Sequence, residues 1–138
     1  VRFENGGADM PRVRWGVSVE EEGGPVVIAD SDDVNAEATG EVHVTIEDAD
    51  SDKEVTILPG GAADVYVMVI QASRYSSDVT YKAWDGSKDS KPVVLDGPQI
   101  FTTGSVSLFG VAPKSLKFTN GGVDPVDVAI YVARDATP

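Results

Sequence analysis

The sequence predicts an all-β fold: a single-domain β-sandwich, jelly-roll or related Greek key, with an irregular N-terminal arm. Three observations predict it. Apolar residues alternate at period two through most of the chain, most densely over residues 55–138. Clusters of Gly, Pro, Asn and Asp separate these runs at the regular spacing of sandwiches and barrels. No segment sustains a 3.6-residue period, so helices are expected to be single turns at most. Many short strands must pair non-locally to hide their edges, and two packed sheets do this.

Taken in order, residues 1–12 lack periodicity and hold a Gly pair and Pro11, as an arm would. Residues 13–138 are assigned to the sandwich. From Val13 the chain alternates, with Val13, Trp15, Val17 and Val19 on one face, until Glu20, Glu21, Glu22 and the pair Gly23-Gly24 break it. Residues 25–29 read as a short strand of the buried type, and 30–37 as an acidic loop. Val42, Val44 and Ile46 resume the alternation; residues 47–52 form an acidic turn and 54–58 another strand. Pro59-Gly60-Gly61 signals a turn. Over 65–70 both faces are apolar, which predicts a central strand.

Residues 79–84 alternate again and end at Asp85-Gly86, a tight-turn dipeptide. Short strands are expected at 93–95, at Ile100 and Phe101, and at 106–111. Leu116 to Thr119 leads into Asn120-Gly121-Gly122, a hairpin-type turn. Val126, Val128, Ile130 and Val132 form a long final strand.

Composition narrows the function. The chain has 138 residues, 11 basic and 23 acidic, for a net charge of −12. Four basic and 15 acidic residues lie in 1–54, against seven and eight afterwards, so the excess sits early in the chain. Such a field repels nucleic-acid phosphate and anionic membrane, so neither is expected as a partner. Without cysteine there is no disulfide, no thiolate zinc site and no cysteine nucleophile. The apolar run 65–70 is far short of the roughly 20 residues that span a bilayer. No charged-then-apolar leader opens the sequence, so no signal peptide is expected.

Candidate chemistry is sparse. His43 is the sole histidine, placed between Val42 and Val44, so it faces solvent if those valines face inward. No Gly-x-Ser-x-Gly elbow accompanies it, which argues against a serine hydrolase. Asp48-x-Asp50-x-Asp52-x-Glu54 spaces oxygens as calcium loops do. However, Lys53 and Pro59 occupy the positions where an EF-hand needs Gly and Glu. Asp30-x-Asp32-Asp33 is a weaker cluster, and solvated turns explain both. The Gly pairs lack the Lys-Ser and helix of a phosphate loop. No catalytic residue, metal or cofactor is assigned. Trp15, Tyr75, Tyr81 and Trp84 could form a sugar-stacking platform, or the tryptophans could anchor the core.

Residues 64–135 carry the strings Asp64-Val-Tyr-Val-Met-Val-Ile-Gln-Ala, Leu95-Asp-Gly-Pro-Gln-Ile-Phe, Ala112-Pro-Lys-Ser-Leu-Lys-Phe-Thr-Asn and Val128-Ala-Ile-Tyr-Val-Ala-Arg-Asp. In this it resembles the small β-sandwich proteins that decorate or cement tailed-bacteriophage heads. The resemblance implies a jelly-roll or related sandwich on the outer capsid surface. It further implies a homo-oligomer (dimer or trimer), with the major capsid protein as partner and no catalytic residues. On that expectation Val1, Arg2, Phe3, Arg12 and Arg14 contact the lattice, being the main basic and apolar residues of an acidic region. The alternatives are an extracellular carbohydrate-binding or adhesion module using Trp84 and Tyr81, and an enzyme built on converging acidic loops.

Overall fold

The computed structural model describes residues 12–36, 38–57, 65–102 and 105–134; the arm expected over 1–12 lies outside them except for Arg12. Ten strands are described: β1 (Arg12–Glu20), β2 (Val26–Asn35), β3 (Ala38–Ile46), β4 (Lys53–Thr56), β5 (Val65–Ala72), β6 (Val79–Trp84), β7 (Val93–Val94), β8 (Gln99–Thr102), β9 (Ser115–Asn120) and β10 (Val126–Arg134). All pairings are antiparallel. One sheet has the order β3-β10-β5-β8 and the other β4-β9-β6-β7, while β1 and β2 form a separate two-stranded ribbon.

The last eight strands pair as a nest: β3 with β10, β4 with β9, β5 with β8, and β6 with β7. This is one long antiparallel hairpin, rolled so that alternate pairs fall in opposite sheets. It is the jelly-roll arrangement, an all-β sandwich as the alternation predicts.

The core lies between the two sheets. Met68, Ile70, Val128 and Ile130 from the first sheet cluster with Tyr81, Ala83, Leu116 and Phe118 from the second. Phe109 closes one side, 5.0 Å from Phe101 of the first sheet and 6.0 Å from Tyr81 of the second, ring centre to ring centre. It sits on a short 3-10 helix, Ser105–Phe109, where a strand was expected over 106–111. The reason is the spacing of the inward residues. Val106 and Phe109 are three apart, which suits three residues per turn and not the two of a strand.

A smaller cluster covers the opposite face of the first sheet. Val67 and Ala133 are buried there with Ala36, and Val13, Trp15, Val69 and Tyr131 pack around them. β5 is therefore apolar on both faces because the ribbon's base covers its outer side, and it lies between β10 and β8 as its pattern predicts.

Two polar devices tie the loops. In the turn at 47–52, Asp50 accepts a hydrogen bond from the Glu47 backbone at 2.8 Å, and Ala49 and Asp52 adopt left-handed φ of 66° and 53°. Asn120 is buried. Its amide donates to the carbonyls of Ile46 (3.2 Å) and Asp124 (2.8 Å), and its oxygen accepts from Gly122 N–H (2.9 Å). Asn120-Gly121-Gly122 thus forms an arch between sheets and not the expected hairpin, since β9 and β10 belong to different sheets.

Burial pushes the Tyr81 hydroxyl far above the usual tyrosine range. Its proton is held more tightly in the folded than in the unfolded chain. The associated stability is complete below about pH 10 and is lost as pH rises beyond it. Urea midpoints between about pH 9 and 11 should therefore fall more steeply for the native chain than for Tyr81→Phe. Parallel curves would show that the hydroxyl ionises as freely in the folded state.

Candidate functional site

The ribbon is the part of the structure least explained by folding alone. Period-two alternation makes β1 a strand with one apolar face. Gly23, at φ 75°, and a Gly24 N–H bond to the Glu21 carbonyl at 2.8 Å turn the chain back. The register sets Trp15 opposite Asp32, Val17 opposite Asp30 and Val19 opposite Ile28. Directly opposed residues share a face. Val13, Trp15, Val17, Val19 and Ile28 therefore form one stripe, with Asp30 and Asp32 beside it.

Only the base of this stripe is covered. Val13 and Trp15 pack on the outer face of the first sheet. Beyond them Val17 is 38% exposed, Val19 51%, Val26 53% and Ile28 59%. Every residue from 16 to 32 whose burial is described is exposed. A lone two-stranded ribbon is marginally stable in water, and covering half-exposed valine and isoleucine side chains returns roughly 1 kcal/mol apiece. The geometry is that of a two-stranded ribbon held at its root by the sandwich, with the rest of its apolar stripe exposed.

Of the expected lattice contacts, Val1, Arg2 and Phe3 lie outside the described residues. Arg12 and Arg14 are exposed on β1, at positions alternating with the stripe, so they flank its base on the other ribbon face. The stripe also takes in Ile28, from the stretch expected to be a buried strand. Residues 25–29 are exposed wherever described, not buried, and the acidic loop expected over 30–37 is strand through Asn35. The usable signal was the spacing across Gly23-Gly24, which sets Val19 against Ile28 in a two-stranded ribbon.

A second feature lies on the outer face of the first sheet, past the ribbon's base. A shallow trough of about 440 Å³ is lined by His43, Thr45, Gln71, Ser73, Asp127 and Ala129, among others. Thr45 donates its hydroxyl hydrogen bond to Asp127 at 2.7 Å, and the Asp127 backbone donates to Ser73 Oγ at 3.0 Å. His43 is exposed, as its placement between Val42 and Val44 predicts, with Nε2 3.6 Å from Glu41. No hydroxyl among the described residues is hydrogen-bonded to it, so no nucleophile and base are paired here.

The aromatic residues do not form one platform. Tyr81 is buried, within 5.6 Å of the Phe118 ring, and cannot stack on a sugar. Trp15 belongs to the ribbon's base and packs on the first sheet. Trp84 is half-buried on the second sheet, with Lys117 Nζ 4.4 Å from its ring centre and 3.1 Å from Asp89. The acidic loops are likewise dispersed. Asp52 pairs with Lys82 at 3.7 Å and Asp50 with Lys53 at 3.8 Å. Among the described residues no group of three acidic or histidine side chains could hold a metal ion. Backbone hydrogen bonds from Lys88 and then Ser87 hold the exposed Asp85 carboxyl below its usual range, a turn-closing role.

The fold and this surface define a rigid all-β sandwich bearing one projecting apolar ribbon. No family model, no curated protein and no solved structure matches the chain.

Proposed function

We propose that this chain is a virion structural protein, a capsid decoration or cement protein that binds the outside of a phage head. It acts as a homo-oligomer, dimer or trimer, and stabilises the shell by bridging major capsid subunits. It needs no cofactor, nucleic acid or membrane and catalyses nothing. The observation that supports this reading best is the free-standing ribbon with its exposed stripe, rooted on a stiff jelly-roll body. A seated ribbon buries apolar surface within a polar rim, so expansion or rupture of the lattice must break that contact too. Several footholds per oligomer raise avidity without a strong single contact. A ligand that binds only the assembled shell stabilises it by mass action, by about 2.7 kcal/mol per site at a hundredfold excess over Kd.

The test uses heads assembled from the major capsid protein of the same genome. The intact chain should co-sediment with them and raise their rupture temperature. Val17→Asp/Ile28→Asp should lose co-sedimentation while the sandwich melts unchanged. Failure of the native chain to bind heads at micromolar concentration would end the virion reading.

One observation favours a second reading, a carbohydrate-binding or adhesion module. Trp84 remains at the surface of the second sheet, where its ring could stack on a sugar if Lys117 moved aside. Retention on polysaccharide gels that Trp84→Ala abolishes would promote this reading over the first.

A further inference from the structure

We infer that the ribbon's stripe is built to enter an apolar crevice rimmed by lysine and arginine side chains on a partner protein, and not to pair with a second copy of this chain. This names the receptor chemistry of the proposed decoration protein, and rests on that reading of the ribbon.

Three observations carry it. The stripe continues, on one ribbon face, the contact that Val13 and Trp15 already make with the body, so its geometry beyond Gly16 is set by that rigid root. Among the described residues, the part of the first sheet next to the ribbon's base offers no matching seat. Past Val69 and Tyr131 the outer face of the first sheet presents His43, Gln71, Thr45 and Asp127. Laying valine and isoleucine over them would strip water from polar groups and return no hydrogen bonds. The ribbon is thus not a flap for its own sheet, nor for the same sheet of a neighbour.

Charge supplies the third observation. Residues 16–31 hold Glu20, Glu21, Glu22 and Asp30 and no lysine or arginine. Asp30 stands on the stripe's own face and the glutamates ring its tip. Two copies meeting stripe to stripe would bring these carboxylates together, on molecules that each carry a net −12. A cationic rim around an apolar floor satisfies both parts of the surface, and steers the encounter as well. Anionic lipid fails on the same ground.

The experiment selects short random displayed peptides on the intact chain, with Val17→Asp/Ile28→Asp protein as the counter-selection. Both substituted side chains are exposed, and unchanged sandwich melting confirms the body. Selected peptides should combine apolar with Lys or Arg residues and bind the double variant at least tenfold more weakly. Their affinity should fall about tenfold between roughly 0.05 and 0.5 M salt, as screened charge pairs require. Glu21→Gln/Glu22→Gln/Asp30→Asn, which removes the charges and leaves the apolar side chains in place, should lose that salt dependence.

Peptides that bind the double variant equally well, or that lack basic residues, overturn the inference. So does a native oligomer that dissociates on Val17→Asp/Ile28→Asp, because a second copy would then be the occupant. Peptides of the expected kind, together with no binding to heads, would support the receptor chemistry and refute the virion setting alone.

Discussion

Phe118→Ala is expected to destabilise the chain by about 3–5 kcal/mol, enough to bring a domain of ordinary stability near unfolding at room temperature. Phe118 is fully buried in β9, which lies between β4 and β6 in the second sheet. Its ring meets Tyr81 at 5.6 Å, and Tyr81 in turn meets Phe109, the residue that closes one side of the core. Truncation therefore leaves a cavity amid groups held by both sheets, with little freedom to collapse into it. Urea denaturation followed by tryptophan fluorescence measures the loss, and Phe118→Leu should recover much of it. A midpoint for Phe118→Ala close to the native one would place the true core elsewhere.

Asn120→Ala should cost roughly 2–4 kcal/mol, because it orphans a buried carbonyl as well as removing hydrogen bonds. The Asn120 amide joins the end of β3, through Ile46, to the arch before β10, through Asp124. Asn120→Asp makes a sharper test. It keeps the oxygen that accepts from Gly122, but at neutral pH it sets a buried carboxylate against two carbonyl oxygens. Burial and those oxygens raise the new carboxyl's pKa in the folded state, so its protonated form is the stable one. Relative to the native chain, this variant should be least impaired below about pH 4 and worsen as pH rises. Equal impairment at acid and neutral pH would mean that the side chain reaches water.

Most strands of the sandwich are legible because they bury one face, and β5 because it is apolar on both. β6, β9 and β10 follow the alternation of their own residues, and Val79 to Trp84 matches it end to end. Strand order was not legible, since a partner such as Ile46 for Val126 leaves no trace in the residues beside either one. The errors fall where a local pattern has two physical meanings. The apolar run at 25–29 reads as core in isolation, but its neighbours are water because the ribbon stands clear of the sheets. Asp30 and Asp32 read as loop residues, yet a ribbon wet on both faces accommodates carboxylates within a strand. The exposed stripe is therefore half visible in the sequence: the alternation of β1 reveals it, while its exposure depends on where the rest of the chain packs.

The nested pairing has a consequence for how this molecule comes into being. β10 lies inside its sheet, between β3 and β5, and joins the two. Its register joins Arg134 to Ala38 and Val126 to Ile46. During synthesis β3 and β5 each keep an edge unpaired until β10 has followed them, whereas the second sheet pairs without it. Contacts so distant along the chain make for slow closure and a long aggregation-prone interval. The many carboxylates carried by the early segment would keep such waiting chains apart through mutual repulsion.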